Sequence, residues 1–301
     1  MSAFSSIIGH EAAARRLSLM IANDRVPHAL LIHGPRRVGK RALAEAFARV
    51  LIGVERLESH PDFRLVERGR DEKTGKLRKG IGVDEVRGLR EHFQMSSFLG
   101  GVKVALIDEA EKMNDEASNA LLKTLEEPAG RACILLVSHE PEALLPTVRS
   151  RLSSVPLRRV AASVIEAALS ARGASDAEAS SCAAMASGRP GLALSFLEKN
   201  AMLEWYANEE RRWRALRSAP LHERFALAGD LTPPKADREE TVERLRDAMG
   251  VWEESLRREL RGGAFSAART LRSLFSLRAS LEANVQPRLL VERFLLSFDT
   301  P

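Results

Sequence analysis

Short apolar runs alternate with helix-spaced apolar positions over the first 160 residues of the chain. This alternation is typical of an α/β domain built on a parallel sheet. The short runs are predicted as strands at residues 29–33, 63–66, 102–107, 134–137 and 153–157. The segments between them are predicted as helices at residues 40–51, 83–94 and 114–127, the last of which ends at Pro128.

After residue 159 the strand-like runs give way to helical spacing. Helices are predicted at residues 160–172 and 176–186, and a third helix follows the segment 188–191. From about residue 205 the chain keeps helical spacing, with breaks at residues 218–220, 232–234 and 262–263. We therefore predict an α/β domain at residues 1–158, a small helical domain at 159–204 and an all-helical domain at 205–301.

The composition is that of a globular protein with substantial cores, since 45% of the 301 residues are hydrophobic and 29% are charged. No apolar stretch approaches the roughly 20 residues that cross a bilayer, and the first nine residues lack a signal-peptide pattern. We therefore expect no membrane contact and a cytoplasmic location. Cys133 opens an apolar run and Cys182 lies in an alanine-rich helical segment, so both are expected to be small buried residues. Two cysteines also cannot build a four-cysteine zinc site.

Residues 34–40 match the phosphate-loop pattern G-x-x-x-x-G-K directly after a predicted strand and before a predicted helix. In such a loop the backbone N–H groups cradle phosphates, and we expect Gly34, Gly39 and Lys40 to serve this purpose. The next residue is normally Ser or Thr, whose hydroxyl binds Mg²⁺, but here it is Arg41. A guanidinium has no lone pair for a metal, so Arg41 either joins a solvated basic rim or occludes the site.

The segment 104–110 is an apolar run that ends in Asp108 and Glu109, the usual form of a second nucleotide-site motif. In hydrolysing proteins these acids orient Mg²⁺ and the attacking water. With Arg41 in place, the acids could instead simply end a strand. Ser138, at the end of the predicted strand 134–137, is a candidate polar sensor of a γ-phosphate. We thus predict a degenerate nucleotide site.

Several further motifs resemble the clamp-loader family of AAA+ proteins, and within it the delta-prime subunits of bacterial DNA polymerase III. They lie at residues 7–10, 26–29, 60–63, 81–87, 119–128, 145–151, 188–194 and 284–292. The resemblance implies an α/β P-loop AAA+ domain with a helical lid and a C-terminal helical collar. It also implies a complex with gamma/tau ATPase subunits and a delta subunit, which loads a sliding clamp onto primed DNA. The clamp would be contacted indirectly and the DNA weakly.

The resemblance assigns Arg151 as an arginine finger that acts on the nucleotide of a neighbouring subunit. Such a finger neutralises charge that develops on the transferred phosphoryl group. A structural salt bridge is the alternative for Arg151, and Arg149 is a weaker candidate for the finger. In active relatives the lid motif carries an arginine that contacts nucleotide, but here Gly191 occupies that place, with Arg189 two residues earlier.

The resemblance also bears on cofactors and on DNA. Many family members carry a four-cysteine zinc module, but residues 53–58 contain no cysteine, so no zinc is expected. No cofactor of its own is required, and ATP with Mg²⁺ is expected to bind weakly or only in the neighbour. Helices like 114–127 line a DNA chamber in the family, which makes Lys112 and Lys123 candidate phosphate contacts, although both could be ordinary solvated lysines.

Three hypotheses remain open from the sequence. The first is a non-hydrolysing assembly subunit that activates its neighbour. The second is a self-sufficient ATPase of the gamma/tau type that tolerates Arg41. The third is a direct DNA-binding module, which the net charge of +5 permits without requiring it.

Overall fold

The computed structural model describes residues 4–70, 75, 77–95, 97, 101–126, 131–216, 218–234, 237–282 and 285–298. The predicted helix end at Glu127 and Pro128 lies outside the described residues, as does Asn284 of the C-terminal motif. The chain divides into two compact units, Met1–Ser195 and Phe196–Pro301. The predicted boundary at 204/205 falls inside a helix, and the three-way division stays a prediction.

The first unit is built on a parallel sheet with the strand order β2-β3-β4-β1-β5. The strands are β1 (Ala29–His33), β2 (Phe63–Val66), β3 (Lys103–Ile107), β4 (Ala132–Ser138) and β5 (Ser153–Pro156). The predicted α/β fold class is therefore confirmed. The strand β4 is longer than predicted at both ends, which makes Ser138 its last residue.

Eight helices begin in the first unit within the described residues. They are α1 (Glu11–Ala22), α2 (Lys40–Ile52), α3 (Val83–Gln94), α4 (Asp115–Glu126), α5 (Pro146–Arg149), α6 (Ala162–Ser170), α7 (Asp176–Ala186) and α8 (Pro190–Glu198). Of these helices, α1 and α5 were not predicted from the sequence. Short 3₁₀ turns cover Ala110–Lys112 and Pro141–Ala143. Local capping explains some of these bounds, since the N–H of Ser175 donates to Glu178 at the start of α7.

Successive side chains of β1 point to opposite faces of the sheet and enter different hydrophobic cores. Leu30 and Ile32 pack into the core that includes Phe47 of α2, whereas Leu31 packs with Leu89 of α3 on the other face. Each fully buried side chain of this size contributes about 1.5–3 kcal/mol to stability. The two cores hold the carboxyl ends of the strands, and the loops that follow them, in fixed positions.

The second unit is helical, with α9 (Asn200–Leu216), α10 (Leu221–Leu231), α11 (Arg238–Arg261), α12 (Ser266–Glu282) and α13 (Pro287–Leu296). The three predicted breaks between helices are confirmed. Trp213 stacks on Trp252 with ring centroids 5.0 Å apart, and Trp252 stacks on Phe294 at 5.6 Å. The Nε1–H of Trp252 donates to Glu209 Oε1 at 2.9 Å, which satisfies the polar atom of that indole ring.

Cys133 and Cys182 are buried and unpaired, as predicted. Burial raises the pKa of the Cys133 thiol to about 12, which makes it inert. Across the part of the chain that the structure describes, every helix is too short or too polar to cross a membrane.

Candidate nucleotide site and arginine cluster

The phosphate loop connects β1 to α2 and depends on a glycine at its start. Gly34 has a φ of +148°, and a Cβ at this position would lie 2.2 Å from the carbonyl oxygen of Leu157. Any other residue would have to displace β5, so Gly34 is required by close approach of two strands. The N–H of Gly34 donates to the carbonyl of Ser138 at 3.2 Å, which ties the loop to the end of β4.

Lys40, the loop lysine, is turned back onto its own loop. Its Nζ donates to the carbonyls of Gly34 at 2.8 Å and Pro35 at 2.7 Å, and only 8% of the residue is exposed. Burial lowers the pKa of Lys40 to about 8, although nearby carboxylates, first among them that of Glu111, oppose this shift. The ammonium group of Lys40 thus makes hydrogen bonds to main-chain oxygens of the phosphate loop.

Arg41 forms ion pairs with carboxylates from three different segments. Its Nε donates to Glu45 Oε1 at 2.9 Å, and its Nη1 lies 3.0 Å from both Glu67 Oε2 and Asp108 Oδ2. Burial disfavours the charged form of Arg41, but these carboxylates raise its pKa above the ordinary value. Burial raises the pKa of Asp108, and the charge of Arg41 opposes that rise. Of the two interpretations of Arg41, these contacts favour the occluding one.

The second acid of the motif is also paired with an arginine. Glu109 follows β3 with a left-handed backbone (φ +49°), and its Oε2 accepts from Arg68 Nε at 2.7 Å. The sequence analysis missed Arg68, because it stands in a charged loop without a motif, 41 residues from its partner. Both acids of the motif are thus neutralised by arginine side chains of the same chain.

A buried ion pair lies beside Ser138 at the end of β4. The ring of His139 contacts the carboxylate of Glu111, and its Nε2 lies 3.4 Å from Glu140 Oε1. Burial alone would raise the pKa of Glu111, but its contact with the ring of His139 lowers that pKa to about 2. Burial likewise disfavours charged His139, but the two carboxylates raise its pKa. Glu111 lies two residues after Glu109, and His139 directly follows Ser138. This proximity to predicted site residues could have identified both from the sequence.

Four of the predicted site residues line a cavity of about 220 Å³. It is lined by Arg36, Arg37, Lys40, Asp108, Glu109, Glu111, Val137, Ser138 and His139. The structure therefore brings Lys40, Asp108, Glu109 and Ser138 together, as predicted. The Oγ of Ser138 accepts from the N–H of Glu140 at 3.1 Å, and Ser138 is only 1% exposed.

These residues do not fit a Mg²⁺ ion. Magnesium requires near-octahedral oxygen ligands at close range. Arg41 stands at the position of the usual hydroxyl ligand, and its guanidinium donates to Asp108 Oδ2. The carboxylate of Glu109 accepts from Arg68. A cation placed among these groups would face two positive charges.

The start of α8 is joined directly to the phosphate loop. The N–H of Gly191 donates to the carbonyl of Arg37 at 2.9 Å, and a Cβ on Gly191 would lie 3.0 Å from the same oxygen. Arg189 points away from this position, since its Nε donates to the carbonyl of Ala186. Gly191, which the resemblance places where active relatives carry an arginine, therefore contacts the phosphate loop through its backbone.

Arg151 lies between α5 and β5, and 39% of its side chain is exposed. Its Nη2 donates to Glu126 Oε1 at 2.7 Å, and its Nη1 donates to the carbonyl of Thr147 at 3.0 Å. Arg149, the weaker candidate, is equally exposed and pairs with Glu142. The structure thus leaves both arginines at the surface and does not bring them into the cavity.

The candidate DNA contacts lie on another part of this unit. Lys112 is half-buried at the end of a 3₁₀ turn, and Lys123 is exposed on α4. Lys123 borders a groove of about 700 Å³ between α3 and α4, together with Arg87 and Arg90. The groove is also lined by Glu91 and Glu116, so its charge is mixed, and contact with DNA stays a prediction.

Comparison with known proteins gives the family. A family model described as DNA polymerase III, delta subunit, matches residues 9–161, just over half of the chain. The DNA polymerase III subunit delta′ of Pseudomonas aeruginosa is 41% identical over 155 residues, which cover 46% of this chain and 45% of the relative. The same subunit of Escherichia coli is 36% identical over 140 residues, 41% of this chain and 40% of the relative. The matches thus span less than half of these relatives.

Two other comparisons bear on subfamily and fold. The DNA polymerase III subunit tau/gamma of Haemophilus influenzae is 32% identical over 155 residues, 49% of this chain and 22% of the relative. A gamma subunit-related protein of Thermotoga maritima has a crystal structure that superposes with a TM-score of 0.53 at 17% identity. That alignment covers 93% of this chain and 96% of the other and supports the fold alone.

The family match, together with the delta-prime name of the Pseudomonas and Escherichia relatives, confirms the resemblance drawn from the motifs. The chain belongs to the DNA polymerase III delta subunit family, in which it is similar to delta-prime subunits.

Proposed function

We propose that the chain is a non-hydrolysing clamp-loader subunit that works through a neighbouring ATPase. In this role it assembles in the cytoplasm with gamma/tau ATPase subunits and a delta subunit. The complex places a sliding clamp on primed DNA, and this subunit touches the DNA only weakly. The observation that carries the proposal is the contact between Arg41 and Asp108, because it puts a guanidinium where a hydrolysing site needs a metal.

The state of the other site residues supports the same proposal. Lys40 donates to the backbone of its own loop, and Glu109 is paired with Arg68. In hydrolysing proteins the equivalent lysine and glutamate act on the nucleotide, but here both bind groups of the same chain. Any nucleotide that enters would have to displace these contacts and the α8 contact through Gly191. This arrangement supports passive, weak binding of ATP and argues against its hydrolysis.

We propose that Arg151 acts on the nucleotide of the neighbouring subunit. An arginine finger must be exposed, charged and held at a subunit edge, and Arg151 meets the first two conditions in the isolated chain. A finger of this kind contributes about 10³–10⁵ in rate in well-studied nucleotide hydrolases. Because it acts on the transition state, its loss lowers kcat more than it changes KM.

The test is ATPase activity of the complex reconstituted with the variant Arg151→Ala. We expect a fall in kcat of at least about 10³-fold while the complex remains intact by gel filtration. The control is Arg149→Ala, which removes an equally exposed arginine from the same segment and should leave the rate close to wild type. Equal rates for Arg151→Ala and wild type, in an intact complex, would contradict the proposal.

A self-sufficient ATPase of the gamma/tau type is the second candidate, because a tau/gamma relative matches this chain at 32% identity. It requires Mg²⁺-dependent turnover by the chain alone, and the pairing of Arg41 with Asp108 argues against that. A direct DNA-binding role would appear instead as a salt-dependent affinity of the isolated chain for DNA.

A further inference from the structure

The guanidinium of Arg151 is held at both of its ends. Nη1 donates to the main-chain carbonyl of Thr147, four residues earlier, and Nη2 donates to the carboxylate of Glu126. A guanidinium carries five N–H donors, so these two bonds leave three for a ligand from outside the chain. The Nε–H makes no hydrogen bond to any residue that the structure describes.

Glu126 approaches Arg151 from a different element, 25 residues away in the chain. It is the last residue of α4, whose buried face packs against the sheet through Leu121 and Leu125. Thr147 belongs to α5, which is anchored by buried Val148. Both groups that hold the guanidinium are therefore fixed to the hydrophobic core, although the pair itself lies at the surface.

We infer that Glu126 is a positioning residue for Arg151 and holds the guanidinium in its working direction before a neighbouring subunit docks. This inference rests on the proposed function of Arg151. An exposed arginine samples many rotamers, and fixing it on docking would cost conformational entropy. The carboxylate of Glu126 lies 2.7 Å from Nη2 of Arg151 and is held by a packed helix. The entropy of the arginine side chain is therefore lost when the chain folds and not when the neighbour docks.

The chain supplies a matched control pair. Arg149 and Glu142 form a second arginine–glutamate contact in the same region, and the arginine has the same exposed fraction, 39%, as Arg151. Glu142 belongs to the short turn Pro141–Ala143 and is 84% exposed. Removing Glu142 changes the local charge as removing Glu126 does, but leaves both hydrogen bonds of Arg151 in place.

The experiment measures ATP turnover with Mg²⁺ and primed DNA by the full reconstituted complex. We expect Glu126→Ala to lower kcat on the order of tenfold with an unchanged KM for ATP, because the misdirected finger still carries its charge. Glu126→Gln, which keeps an acceptor oxygen in place, should recover much of the rate. Glu142→Ala should match the wild type. Complex assembly is followed by gel filtration for each variant.

A double substitution separates positioning from a general structural role. In the Arg151→Ala background, adding Glu126→Ala should cause no further loss, since the two residues act through one guanidinium. A further loss in that background, or a Glu126→Ala rate equal to or above wild type, would overturn the inference. If Arg151→Ala itself leaves turnover unchanged, the proposed function fails. If Arg151→Ala abolishes turnover and Glu126→Ala does not lower it, only the role of Glu126 fails.

Discussion

At the residue scale, the guanidinium of Arg41 contacts the carboxylates of Glu45, Glu67 and Asp108. A hydroxyl at this position would bring no charge, and the acids would then repel one another unless a metal joined them. Arg41 thus supplies permanently the positive charge that a hydrolysing site obtains from Mg²⁺. The sequence alone predicted the loss of a metal ligand here, because an arginine side chain cannot ligate a metal as a serine or threonine hydroxyl does.

The partners of Arg41 could not be predicted in the same way. Asp108 is 67 residues away, and Glu67 enters from the end of β2. No periodicity in a sequence encodes which loop side chains meet across the edge of a sheet. For the same reason Arg68 was missed, although its partner Glu109 was predicted as a site residue.

The buried pair of His139 and Glu111 predicts a pH-dependent stability. The pKa of His139 is raised in the folded protein above its ordinary value of 6.5. Protonated His139 therefore contributes its full stabilisation of the fold at pH values below 6.5. That contribution is lost as the pH rises through the raised folded pKa. Glu111, with a pKa of about 2, stays ionised throughout this range.

The variant His139→Asn tests this pair through urea unfolding at several pH values. We expect wild type to exceed the variant by about 1–3 kcal/mol near pH 6, and the difference to shrink above neutral pH. The comparison variant is His222→Asn, which changes a histidine in the other unit. A difference that is constant or grows with pH would contradict the assigned ion pair.

At the scale of elements, α8 and the phosphate loop are joined through Gly191 and Arg37. Because a Cβ on Gly191 would lie 3.0 Å from the carbonyl of Arg37, a side chain there must push the helix or the loop aside. Glycine is thus needed for close approach, and the same approach leaves no room for a nucleotide-contacting side chain. The sequence showed the glycine, but the contact that explains it required the fold.

Replacing Gly191 by alanine should lower the free energy of unfolding by about 1 kcal/mol. The steric cost of overpacking, about 1–3 kcal/mol, outweighs a gain of up to about 1 kcal/mol in helix propensity. The matched control is Gly229→Ala in α10, where a Cβ would meet nothing within 4 Å. That variant should gain stability by about 0.5–1 kcal/mol. Stabilisation at both sites in thermal unfolding would exclude a tight α8 contact.

The elements themselves were largely predictable, because short apolar runs and helix-spaced apolar positions are local signals. The strands β1 and β2 and the helices α3 and α7 have the predicted bounds. The helix α9 begins at Asn200, before the predicted domain boundary.

Across the first unit as a whole, the parallel sheet and the phosphate loop are present, while Arg41 and Arg68 hold the two acids of the second motif in internal ion pairs. The sheet also places α5 and Arg151 at the surface of this unit.

Titration of the purified chain alone with ATP and Mg²⁺ shows whether this chain consumes ATP in its own pocket. Calorimetry gives the affinity, and release of inorganic phosphate gives the turnover. We predict weak binding that does not strengthen when Mg²⁺ is added, and no turnover. Tight Mg²⁺-dependent binding with steady release of phosphate would contradict the account.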